Sequence, residues 1–175
     1  MGTIWVESVG RSLDAALDLL AAAVRDCPDD AWETPMWPVV VREGTQGLDD
    51  ARGQRASMPW GIAWHALECL DYDLSGELEP WAPPPPFTGH PHWRDLPRLP
   101  RAWTQPEMLG YIEYCRERAR ATFAGMTEAK AARVLPPAHR YGGEPHAWVI
   151  AGFASHTTEH TSQIRQFLST PGFRH

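Results

Sequence analysis

Lysine, cysteine and uninterrupted apolar chain are all scarce in this sequence, and each scarcity removes a class of function. Lys130 is the only lysine among 16 basic residues, and 22 acidic residues bring the net charge to −6. Without a polybasic tract or a basic face, the electrostatic footprint of nucleic-acid binding is missing, so no nucleic-acid partner is expected. Cysteine is confined to Cys27, Cys69 and Cys115, an odd and widely spaced set with no CxxC pair. That usage suits buried thiols in a reducing compartment better than a disulfide framework. No stretch approaches the roughly 18 to 20 apolar residues that span a bilayer, so no membrane partner is expected either. Met1 to Glu7 offers no cationic segment followed by an apolar one, which reads as no signal peptide and a cytoplasmic location. A glycine-rich phosphate loop and a Ser-His-Asp order of the hydrolytic kind are also missing.

What the chain does hold is a surplus of three residue types: 9 Trp, 17 Pro and 8 His in 175 residues. That length, 43% hydrophobic, suits a single domain over residues 1–175 whose core needs neither disulfide nor metal for folding. Apolar spacing predicts four helices. The first covers about Val6 to Arg25 with a stripe of Val6, Val9, Leu13, Leu17, Leu20 and Val24, and Pro28 stops it. The second, about Met58 to Leu78, carries two stripes, one through Ile62, His65 and Cys69 and one through Trp60, Leu67 and Leu74. A helix apolar on two sides is expected to be buried on two sides.

The third helix opens on a capping box of Thr104 and Glu107 and continues through Met108, Ile112, Cys115, Ala119 and Phe123. The fourth, about Pro145 to Leu168, follows Gly142-Gly143 and places Val149, Phe153, His156, His160, Gln163 and Phe167 on one face. Trp37-Pro-Val-Val-Val is read as a short extended piece in the first connection. Between helices two and three, Pro80 to Trp103 holds eight prolines, including Pro83 to Pro86. A proline-rich run of about 25 residues, at roughly 3 Å each, can travel the length of a bundle and leave its flanking helices parallel. Four helices with long crossovers are therefore expected, not a simple hairpin bundle.

The histidines carry the chemistry. His156 and His160 are four apart on an apolar stripe, so their rings point within roughly 40° of each other. Taken alone, such a pair is better explained by two core histidines hydrogen-bonded to backbone or to each other. His65, on a core-facing stripe of the second helix, changes the weighting. Three imidazoles directed into one interior are costly unless something pairs them, and a divalent metal does so. Three protein ligands with a fourth position left open is the arrangement of a reactive site.

The sequence resembles the DinB/YfiT superfamily of DNA-damage-inducible-type four-helix bundles. The matching pieces are Pro59-Trp60-Gly-Ile-Ala-Trp64-His65-Ala-Leu-Glu68 and His156-Thr-Thr-Glu-His160-Thr-Ser-Gln163-Ile164-Arg165. The resemblance implies an all-α, up-down-down-up bundle with His65, His156 and His160 as metal ligands. It also implies a metal, zinc or nickel ahead of iron or manganese, and a homodimer. Members of the superfamily include thiol-dependent S-transferases and isomerases that use mycothiol, bacillithiol or glutathione. The expected activity is therefore transfer of a low-molecular-weight thiol to a small electrophilic substrate, through a metal-held thiol or water. A non-catalytic, stress-related binding bundle is the alternative, and a metal-dependent hydrolase a third reading.

Other candidates are weaker. His156-Thr-Thr-Glu159-His160 matches H-x-x-E-H of inverted zinc peptidases, with Glu159 as general base, but such enzymes also need a distant downstream carboxylate and 15 residues follow His160. Glu159 is instead read as an outward carboxylate or a second-layer partner of a histidine. Glu68 and Asp71 could orient His65, with ordinary helix-surface carboxylates the more common case. Cys69 is read as a buried thiol, and Arg165 as a possible cation for a thiol's carboxylate. Trp60 and Trp64 serve either the core or the wall of a pocket. His90 and His92 are expected in an exposed loop that could supply a proton-transfer group. His146 lies roughly 15 Å along the axis from His156 and is excluded from its site.

Overall fold

The computed structural model describes residues 4–37, 54–76, 81–89, 96 and 99–170. Among these residues the chain is all-helical, with a single isolated bridge between Val134 and Pro145 as its one extended pairing. The four sequence-predicted helices are all found. α1 spans Ile4–Asp26 and is followed by a short α2, Asp29–Trp32, entered through Pro28. α3 spans Pro59–Ser75, α4 Gln105–Ala124, and α5 is a single turn at Glu128–Ala131. The expected fourth helix is divided: α6 covers His146–Ala151, Gly152 interrupts, and α7 runs from Phe153 to Ser169.

Local chemistry accounts for these boundaries. Thr104 and Glu107 form the predicted capping box, each satisfying a backbone N–H of the other. Gly76 ends α3 in the left-handed conformation at φ +59, where a Cβ would also press on Leu135 and His146. In α3 every residue except His65 and Tyr72 is buried, as a helix striped on two sides requires.

Side-chain contacts give the helix directions. Gln105, opening α4, donates to the Val24 carbonyl near the end of α1 at 3.0 Å, and Arg116 in mid-α4 reaches Asp14 and Asp18 of α1. Phe123, near the end of α4, packs beside Gly10. α1 and α4 are thus antiparallel. Trp64, early in α3, meets Trp103 just ahead of α4, with ring centroids 6.3 Å apart. Leu74, late in α3, shares a cavity wall with Ala121 and Thr122, late in α4. α3 and α4 are therefore parallel, as the long crossover allows. Part of that crossover is docked, not merely extended: a 3₁₀ turn at Phe87–Gly89 drives Phe87, 1% exposed, onto the rings of Tyr111 and Trp103 at 4.4 and 4.8 Å. α7 packs against both α1 and α3.

No helix of the described residues is long and apolar enough to cross a membrane. Residues 38–41, expected to be extended, lie outside the described residues, as do His90, His92 and His175.

Candidate metal centre

His65 is one of the two α3 residues that escape full burial, and α7 packs against this helix. The helical periods of α3 and α7 therefore bring together three rings that the sequence separates by some ninety residues. Centroid separations are 5.0 Å from His65 to His160, 5.5 Å from His65 to His156, and 4.5 Å from His156 to His160. The Nε2 atoms of His156 and His160 are 3.2 Å apart. Nδ1 of His160 donates to Oε1 of Gln163 at 2.8 Å, which turns its Nε2 towards His156.

Cys69, one turn beyond His65, belongs to the same cluster. It is a buried thiol, as its place in the stripe predicted, and its Sγ is 3.6 Å from Nδ1 of His65. His65, Cys69 and His156 each offer one ligand atom, all within 4.8 Å of one another, and this group could hold a metal ion.

The electrostatics suit ligation. Burial, reinforced by the neighbouring imidazoles and Arg140, holds His65 down to about 3. Burial, with His160 and Arg140, holds His156 down to about 4. Both rings are therefore neutral at physiological pH, the form that donates to a metal. Burial and the adjacent Glu68 push Cys69 up to about 12 against the opposing pull of Arg140, so without a metal it is a thiol. Nδ1 of His156 is buried and unpartnered among the described residues.

Three neighbours were not legible as such. Arg140, in the turn before α6, donates to Sγ of Cys69 at 3.1 Å and pairs with the buried carboxylate of Asp73. Asp73 also has Nε2 of His139 at 2.8 Å, and its carbonyl accepts from Nε2 of His146 at 2.9 Å. His146 is accordingly a buried anchor between α6 and the end of α3, outside the histidine cluster as its distance along the helix required. Cys69, by contrast, had a sequence signal, its i+4 spacing from His65.

Two of the carboxylates differ from expectation. Glu68 and Asp71 are buried, not on the helix surface. Glu68 accepts from the Cys69 thiol at 3.5 Å. Asp71 does not serve His65: it accepts from Tyr111 at 3.0 Å and pairs with Arg118. Glu159 is exposed and lines a groove with Ser12, Ala15 and Leu19 of α1. Arg165 is exposed. Trp60 and Trp64 are fully buried core residues. Beside the cluster, Gln163 also lines a cavity of 310 Å³ with Met36, Trp37, Gln166 and Phe167.

No family model, curated protein or solved structure matches this chain.

Proposed function

We propose that the chain is a DinB/YfiT-like four-helix bundle, up-down-down-up, that holds one divalent ion on His65, His156 and His160 and uses it to transfer a low-molecular-weight thiol to a small electrophile. The observation that carries this reading is the approach of His65 from α3 to both histidines of α7. The antiparallel α1–α4 pair and the parallel α3–α4 pair support the bundle topology.

The residues fit an ion. The neutral rings and the Nε2 atom of His160, turned towards His156 by Gln163, are a nitrogen donor set of the kind zinc and nickel accept, with iron or manganese less favoured. Bound there, the metal supplies Lewis acidity that favours the thiolate form of an incoming thiol at neutral pH. The chain's own residues do the rest. Gln163 orients His160, and Arg140, held by Asp73, places a fixed cation beside Cys69 for the thiol's carboxylate. That role falls to Arg140 rather than to exposed Arg165. The 310 Å³ cavity next to Gln163, walled by Met36, Trp37 and Phe167, provides an apolar berth for the electrophile. Trp148, 59% exposed and packed edge-on to Tyr141, supports the expected homodimer.

A second reading rests on Cys69. With Sγ so near His65, a His₃Cys set would close the coordination shell, which is the habit of structural zinc and would leave a non-catalytic binding bundle. Two measurements separate the readings. Metal analysis should find about one ion per chain in the native protein and a large loss in His156→Ala/His160→Ala. A panel of thiols with an electrophilic substrate should then show metal-dependent turnover. Full metal retention by the double variant removes the ligand assignment. Metal loss without turnover by any thiol leaves the structural reading.

A further inference from the structure

A second site lies at the end of the molecule where α3 and α4 finish. A cavity of 330 Å³ opens there between Leu74, Met126 and His146, and three cationic side chains line it: Arg118, Lys130 and Arg133. None of the described residues lining it is acidic. In a chain of net charge −6 that holds a single lysine, this is a local reversal of sign.

The charges are not equally committed. Arg118 is neutralised by buried Asp71. The side chains of Lys130 and Arg133 line the cavity and form no ion pair among the described residues. Both are carried on pinned backbone. Thr127 caps the α5 turn by accepting from the Lys130 N–H at 3.2 Å. The Arg133 N–H donates to the Lys130 carbonyl at 3.2 Å, and the Arg133 carbonyl accepts from the His146 N–H at 2.8 Å. The backbone that carries both side chains is thereby fixed.

We propose that this cavity binds the phosphate group of a small phosphomonoester. Two cations with no ion pair among the described residues match a group that carries about −1.5 to −2 charges at neutral pH. Arg118 stands ready for a further charge-assisted bond. The cavity exceeds a phosphate alone, and its apolar half, Leu74, Ala121 and Met126, suits the ester's small organic portion. The site does not depend on the histidine cluster.

Isothermal titration at low ionic strength, with inorganic phosphate and then phenyl phosphate as probes, tests this. Saturable 1:1 binding is expected, tighter for the ester. Lys130→Ala/Arg133→Ala should weaken it about tenfold or more, while both residues are exposed enough for the fold to persist. His156→Ala/His160→Ala should bind the probes unchanged, which separates the cavity from a metal-held anion. Absence of saturable binding overturns the proposal. So does equal affinity in the lysine–arginine variant, or loss confined to the histidine variant.

Discussion

Removing Arg140 should damage the protein in a way that a second damaging change partly repairs. Asp73 has no exposed side-chain surface, while the Arg140 side chain that pairs with it is 37% exposed. Arg140→Met leaves a carboxylate buried with His139 as its one remaining ion-pair partner among the described residues. Breaking a buried pair costs about 3–5 kcal/mol. Because the arginine is more than a third exposed, solvent screening already weakens the pair, and about 2–3 kcal/mol is the appropriate expectation. Asp73→Asn added to that variant removes the stranded charge and keeps an acceptor for His139, and should recover about 1 kcal/mol.

The pH dependence provides a second readout. Burial already raises Asp73 above the ordinary carboxylate value, and the guanidinium opposes that rise. Without Arg140 the native state takes up a proton more readily than the unfolded chain. The variant's deficit should therefore shrink as pH falls from 7 towards the raised native value, and be largest above it. Urea unfolding followed by circular dichroism at pH 7 and pH 5 measures both effects. Additive damage from the two substitutions, or a deficit that widens in acid, would mean that Arg140 does not neutralise a buried Asp73 charge.

Metal-free protein should also lose stability between pH 7 and pH 5, because His65 at about 3 and His156 at about 4 stay neutral in the native state while their unfolded counterparts take up protons below about 6.5. Allowing for partial exposure, about 1 kcal/mol for each ring is expected in the urea midpoint, and a flat profile would contradict their burial as neutral groups. Two glycines should respond in opposite directions in the same assay. Gly61→Ala places a Cβ into the Arg55 carbonyl and should cost about 3 kcal/mol or more, whereas Gly110→Ala meets open space in mid-α4 and should gain about 0.5–1 kcal/mol.

Much of the helical frame was readable because it rests on local rules. The Thr104–Glu107 box, the stripe from Met108 to Phe123 and the double stripe of α3 are decided within a few turns of chain. Gly152 was not read as a break, since a glycine flanked by periodic apolar residues is equally at home inside a helix. The carboxylates were the larger gap. Asp71 and Asp73 look like surface acids on α3, and their burial is intelligible only from Arg118 and Arg140, which lie 47 and 67 residues away in sequence. Periodicity marks which face of a helix is apolar but says nothing about which distant cation will neutralise an acid on it. The same limit hid Arg140 at the cluster, whereas Cys69 was one i+4 step from His65 and could have been included.

Sharing of one ion between His65 of α3 and the two histidines of α7 is open to direct measurement. Metal content and affinity of the single variant His65→Ala, measured by equilibrium dialysis against zinc beside the native protein, test it most directly. About one tightly held ion per native chain is expected, with a loss of affinity of about tenfold or more in His65→Ala and the helical signal preserved. Native-like zinc binding by His65→Ala would mean that the α7 pair binds without α3, and the shared site would be wrong.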